Sequence, residues 1–465
     1  MKKLLRSGKI RPLIVVAVLV LVVALNAALG GLNGLHVDLT KNRAATLDAA
    51  TLSAARALEE PVRLYAIESE ENRNVWLDEL LARFAAASSR LTLETVDPES
   101  PRMESLHDYA AGQELVDGSV LVVSDRRSVL LTVDDLFSYD YDQTAYYYYG
   151  VMQYTRADFT AQDALCRALS YVTRSDMPVL YALSGHGENG WDGTLNALCF
   201  RNGVALETLE LADGQAVPAD AAAVLLDNPA SPVGESTVDA LLDYLKDGGD
   251  MLLLTSYNTD FTGLDRLVEY YGMARKTGLV IDNDAAHVYS SDYKYYLKPD
   301  LRDHPVTAPL IEAGQRVIMP VAEAIERSDV RRAGLNAQPL LLTTDQAYIK
   351  LNTQAVATLD REEGDEPGRF MLGMAAVEGD THLTWFSCAT LIAAGVSTAS
   401  GGANDALVTS ALRQMFDFPA QAEAVPAVSL LNDPTSLPAV PALAALIALP
   451  LVCLLIGLIR RRKLS

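Results

Sequence analysis

Four consecutive residues, Gly185-His186-Gly187-Glu188, combine groups that can do chemistry. An imidazole can bind a metal or move a proton, and a carboxylate two residues on can orient it. Glycine on either side lets backbone approach a ligand closely. The tetrad follows the apolar run Val179-Leu180-Tyr181-Ala182-Leu183 and Ser184. It therefore falls where a strand's carboxyl end meets a loop, the usual ligand edge of an open α/β sheet. A second apolar run, Ala222 to Leu226, ends in Asp227-Asn228-Pro229, and Glu235 follows. Asp227 and Glu235 can face the same crevice, or serve as turn and helix-capping groups. The tetrad itself also reads as a tight turn whose glycines take positive φ and whose histidine caps a carbonyl. The candidate ligand or partner surface is thus Ser184, Gly185, His186, Gly187, Glu188, Asp227, Asn228 and Glu235.

Other reactive residue types lead less far. The stretch from Ser138-Tyr139-Asp140-Tyr141-Asp142 to Tyr149 is rich in tyrosine and aspartate, but the DxDxDG order of a calcium loop is absent. It reads as a loop or hairpin with one tyrosine face packed and one wet. Cys453 lies in an apolar run, and Cys166, Cys199 and Cys388 show neither CxxC nor zinc-ligand spacing, so they read as buried small hydrophobes. The sequence holds no GxxxxGK[ST], HExxH or GxSxG motif. No catalytic residue, cofactor or metal site is expected.

The elements that must position the tetrad are those of an α/β chain. A helix near Leu47 to Leu58 precedes the strand Val62 to Ile67. A second helix runs from Val75 to Ala87 with Trp76, Leu80 and Phe84 on one face, and the strand Leu91 to Val96 follows. Two further strands, Val120–Val123 and Val129–Val133, complete the order of a small thioredoxin-like layer, 37–150. The larger unit, 156–419, alternates helices at 160–173, 194–201, 235–247 and 264–271 with apolar strands at 179–183, 222–226 and 251–254. Continuous apolar strands alternating with helices predict a mostly parallel open sheet covered on both faces. Beyond Val280 the pattern loosens. Strands are expected at 316–319, 340–343, 370–376 and 382–386, a last helix at 405–416, and an Ala/Pro/Ser-rich linker at 420–438.

Both ends carry uncharged apolar runs of bilayer-spanning length, 13–32 and 439–459. Basic tails, 1–12 and 460–465, flank them on the outer sides, which predicts both termini in the cytoplasm and the middle outside. A cleaved leader is the competing reading of the first run. Its length exceeds that of a signal-peptide core and favours an uncleaved anchor. The chain has a net charge of −22; nine of its 38 Lys and Arg lie in these end segments, and all 60 Asp and Glu lie between them. The interior, with 29 basic against 60 acidic residues, stands at −31 and repels phosphate backbones, so nucleic-acid binding is not expected.

Several segments in order carry a resemblance: VDLTKNRAATLDAATLSAARALEEPVRLYAI at Val37–Ile67, VDPES at Val96–Ser100, YALSGHGE at Tyr181–Glu188, LDNPASPVGESTVDALLDYLKDGGDMLLLTS at Leu226–Ser256 and HPVTAPL at His304–Leu310. Together with the two anchors they resemble the auxiliary component of the gliding-motility-type ABC transport system. The resemblance spans most of the chain. It implies an exported α/β domain held in the plasma membrane beside an ABC permease and a cytoplasmic ABC ATPase on separate chains. The role implied is non-catalytic, binding or gating at the permease's outer face. The larger unit is also similar to the amidotransferase-like and intraflagellar-transport-type sheet. Amidotransferases place a nucleophilic cysteine at a strand–helix elbow. Here Ser184-Gly185 stands there and Cys199 falls further on, so amidotransfer is not expected. Two other classes stand beside the transporter reading: an exported hydrolase acting on envelope material at Gly185–Glu188, and a structural envelope protein.

Overall fold

The computed structural model describes residues 46–110, 113–141, 151–189, 193–353, 358–419 and 424–430. The apolar runs 13–32 and 439–459 and both basic tails lie outside the described residues. Among the described residues, no helix is long and apolar enough to cross a membrane.

The first layer is a four-stranded sheet in the order Leu91–Val96, Val62–Ile67, Val120–Val123, Ser128–Leu131. The first pair is parallel, and the next two pairings are antiparallel. Helix Val75–Ala86 makes the parallel crossover. Asn74 caps it by accepting from the backbone N–H of Trp76 and Leu77, and Leu77, Leu80, Leu81 and Phe84 fall on its buried face. Those side chains join Leu64, Val120 and Val122 in one core. Helix Ala161–Thr173 buries Ala164, Leu165, Ala168 and Leu169 in the same core, although it lies beyond residue 156, where the larger unit was expected to begin. A 3-10 helix, Pro101–Tyr109, which the sequence reading did not expect, closes the other face over Tyr65, Ile67 and Val96.

The larger sheet has ten strands. Five of them run parallel, in the spatial order Thr381–Phe386, Met251–Leu254, Ala221–Asp227, Val179–Ser184, Ala205–Glu210. The remaining strands, Met371–Glu378, Ala324–Arg327, Met273–Lys276, Asn336–Leu342 and Asp300–Leu301, pair antiparallel. The expectation of a mostly parallel sheet is therefore corrected to a mixed one. The reason is connection length. Only Gly379 and Asp380 join Met371–Glu378 to Thr381–Phe386, which closes a hairpin and is too short for a parallel crossover.

Both faces of this sheet are covered, as the unbroken apolar strands require. Along Met251–Leu254 alternate residues point to opposite sides. Leu252 and Leu254 belong to one core with Leu195, Leu407 and Leu412 from helices Gly193–Asn202 and Ala403–Met415. Met251 and Leu253 meet Leu241 and Leu267 from helices Glu235–Lys246 and Leu264–Tyr270, with Trp385. A separate three-stranded ribbon pairs Phe137–Tyr141 with Tyr154–Phe159, and Tyr154–Phe159 with Val428–Ser429, a short strand inside the stretch read as a linker.

Candidate functional site

Strand Val179–Ser184 lies between two parallel neighbours and delivers the tetrad to the sheet's carboxyl edge. Gly185 and Gly187 take φ of 118° and 71°, which L side chains resist, and the chain bends at Gly185 and His186. The Glu188 carboxylate returns to the same turn. Its Oε2 accepts from the His186 backbone N–H at 2.7 Å, and its Oε1 lies 2.9 Å from His186 Nδ1. The His186 carbonyl accepts from Ala230 N at 3.0 Å, Ser231 N at 2.9 Å and Ser231 Oγ at 2.9 Å. The tetrad thus closes on itself and grips the loop after the neighbouring strand. A Cβ on Gly187 would stand 3.2 Å from that of Ala230.

Asp227 and Asn228 end the neighbouring strand and join the same network. The Asp227 carbonyl accepts from Asn189 N at 3.0 Å, and its Oδ1 lies 3.4 Å from Asn189 Nδ2. Asn228 stands at φ 52° and donates its backbone N–H to Leu254 O at 2.8 Å. Its side-chain oxygen accepts from Ser256 Oγ at 2.9 Å and Thr259 Oγ1 at 2.5 Å, just past the end of Met251–Leu254. Ser184, Gly185, His186, Gly187, Glu188, Asp227 and Asn228 are therefore brought to one edge. Glu235 is exposed in the first turn of helix Glu235–Lys246, where its charge meets the positive helix end.

The edge continues into residues that the motif reading missed. Glu323, fully buried, lies just before strand Ala324–Arg327 and pairs with Arg275 Nε at 2.6 Å. Its other oxygen accepts from Thr255 Oγ1 at 3.4 Å, and that hydroxyl accepts from Trp385 Nε1 at 2.9 Å. Arg275 donates also to Tyr257 O at 3.0 Å and lies over the Phe261 ring. Burial pushes the Glu323 carboxyl up to about 7, against the pull of Arg275. Val321, two residues before it, stands at φ 58°; with Asn228 it is one of two non-glycine residues at positive φ among those described. Strained backbone of this kind persists only where its surroundings over-determine it. One sequence signal was available: Val321-Ala322-Glu323-Ala324-Ile325 sets a single acid inside an apolar run.

Cys166, Cys199 and Cys388 are free and buried, and burial pushes the Cys199 and Cys388 thiols up to about 12. Such thiols are poor nucleophiles at neutral pH. No group of three or more metal-ligating side chains occurs among the described residues. Two clefts, of about 630 and 720 Å³, lie elsewhere: one between helices Ala49–Arg56 and Ala161–Thr173, the other beside Gly214–Ala221 and Tyr244.

No protein-family model and no curated protein matches the chain. Solved structures similar to it include the mmIFT52 N-terminal domain, at 13% identity over 51% of this chain and 96% of that one, with a TM-score of 0.38. PurLQS from Thermotoga maritima matches at 12% identity over 52% of this chain and all of that one, with a TM-score of 0.32. The exo-beta-1,4-mannosidase Op5Man5 from Opitutaceae bacterium strain TAV5 matches at 11% identity over 73% of this chain and 48% of that one, with a TM-score of 0.30. At TM-scores below 0.5 these likenesses assign neither activity nor residue roles.

Proposed function

We propose that the chain is a non-catalytic, membrane-anchored subunit whose body lies outside the cytoplasm and works beside an ABC permease, with the ATPase on a separate cytoplasmic chain. The observation that carries this reading is the closure of the tetrad. The His186 backbone N–H is taken by the Glu188 carboxylate, and its carbonyl holds the 230–231 loop. A turn bonded in this way at its backbone forms a rigid edge for a ligand or partner. On this reading the first layer is thioredoxin-like, supported by its parallel pair followed by two antiparallel pairings. The parallel half of the larger sheet supports an amidotransferase-like layer that serves as a scaffold.

A pull-down of the full chain from membranes in mild detergent tests the assignment. An ABC permease and its ATPase should co-purify. Recovery of the chain alone, from membranes in which other permease–ATPase complexes stay whole, would overturn it. The His186–Glu188 contact also favours one second reading, an exported hydrolase, because a carboxylate-oriented imidazole is a general-base arrangement. Envelope-polymer hydrolysis that disappears in His186→Ala would establish that reading instead.

A further inference from the structure

The ribbon of Phe137–Tyr141 and Tyr154–Phe159 has two unlike faces. On one, Phe137 and Phe159 are buried, with ring centroids 5.0 Å apart. Toward the open end that face emerges into solvent as Tyr139 and Tyr154, 45% and 47% exposed and 5.4 Å apart, beside Val151 and Met152, 56% and 55% exposed. On the other, Arg156 pairs with Asp140 at 3.3 Å and Asp158 at 3.4 Å. An aromatic patch next to a self-neutralised charged face needs an explanation.

The chain's path supplies one. Val428–Ser429 pairs antiparallel with Tyr154–Phe159, and Leu430 N donates to Ala157 O at 2.7 Å. The chain therefore leaves Leu430 heading toward the exposed end of the ribbon. Only residues 431–438 separate it from the apolar run at Ala439. At roughly 3.3–3.6 Å per extended residue, that tether reaches no more than about 30 Å. The other end of the described chain is tied to the same corner. Gln162 donates to Thr46 O at 3.0 Å and accepts from Asp48 N at 2.8 Å, while Asp163 next to it accepts from Val425 N at 3.0 Å.

We infer that the exposed end of this ribbon rests on the bilayer, with Tyr139, Val151, Met152 and Tyr154 at headgroup level, and holds the body at a set angle over its two anchors. This rests on the membrane-anchored reading. Tyrosine suits the site because its ring enters the apolar boundary while its hydroxyl stays wet. The contact has no basic cluster, so it requires no anionic lipid.

The test uses the full chain in phosphatidylcholine vesicles, with Cys453→Ser and a bimane label at Met152→Cys or, as a control, at exposed Glu363→Cys. A quencher carried near the lipid headgroup should quench the Met152 label several-fold more than the control, with no change on raising salt. Tyr139→Ser with Tyr154→Ser should weaken that difference. Equal quenching at both sites in vesicles that float with the protein and resist carbonate extraction would overturn the ribbon contact and leave the anchoring intact. Failure to float would overturn the anchored reading itself. A Met152 label that responds only when permease is added would reassign the patch to a protein partner and overturn the lipid contact.

Discussion

His186 is held by its own loop, which fixes what its removal can do. In His186→Ala the backbone N–H still donates to Glu188, but the carboxylate loses its ring partner while staying nearly buried. A turn-edge residue ordinarily costs about 1 kcal/mol or less to truncate. The contact with Glu188 raises the expected destabilisation to about 1–2 kcal/mol. Urea unfolding of the two proteins side by side measures it, and a loss above about 4 kcal/mol would mean that the turn supports more of the sheet than its bonds indicate. Glu323 makes the opposite case. Its carboxyl is raised to about 7, so between the unfolded value near 4.5 and pH 7 the folded chain holds a proton that the unfolded chain releases. Its contribution is whole below about pH 4.5 and falls as pH rises through 7, by roughly 3 kcal/mol in total. Glu323→Gln should remove that slope, so the variant's stability relative to the natural protein should rise between pH 5 and 8. A constant difference across that range would show that Arg275 keeps the carboxylate ionised throughout. The tetrad was legible because its residues adjoin one another at a strand end. The Glu323–Arg275 pair was not, because 48 residues separate its partners and only the fold brings them together.

Helix Ala161–Thr173 shows how one element serves two parts of the chain. Its apolar stripe completes the first layer's core, and its first turn carries Gln162, which binds Thr46 O, Asp48 N and Thr51 Oγ1 at 3.0, 2.8 and 3.2 Å. Gln162→Ala should strip the Thr51 hydroxyl of its acceptor, leaving it only the Cys166 thiol at 3.5 Å, and free helix Ala49–Arg56 at a cost of about 1–3 kcal/mol. Hydrogen exchange should quicken over residues 49–56 and stay unchanged over 251–254. Unaltered exchange at 49–56 would mean that Ala55 and its core neighbours hold that helix without the clamp. Elements were readable wherever pattern and burial agree. Strands Val62–Ile67, Leu91–Val96, Val120–Val123 and Met251–Leu254 fall where alternation or unbroken apolar runs place them. After residue 280 the signal fades, because the antiparallel strands are short or irregular. Asn336–Leu342 contains Pro339 and two register shifts, and Tyr296–Leu297 and Met319–Pro320 are two residues each. Such strands are set by the neighbour they pair with, which local periodicity does not encode. Strand Ala205–Glu210 was overlooked for a related reason: it is an edge strand, and Glu207, Thr208 and Glu210, exposed on its two faces, interrupt the apolar pattern.

At the scale of the whole molecule, charge and topology bear on one another. The body carries 60 acidic residues against 29 basic ones, while both ends carry only basic ones; on the proposed anchored reading both flanks call for the same orientation, ends inside and body outside. The cysteines make this directly measurable. Cys166, Cys199 and Cys388 are buried in the folded body and Cys453 sits within the second apolar run, so the natural chain should give almost no signal with a membrane-impermeant maleimide. Against that background, a cysteine replacing exposed Glu99 should label in intact cells, and one replacing Ser465 should label only after the membrane is opened. Labelling of both in intact cells would place the C-terminal tail outside and remove the second anchor from the account. Labelling of neither would place the body in the cytoplasm, and the assignment beside a permease's outer face would fall with it. The expected pattern, Glu99→Cys alone, puts the Gly185–Glu188 edge and the tyrosine ribbon on the same side of the membrane, so that the proposed partner edge and the proposed lipid contact share one outer surface.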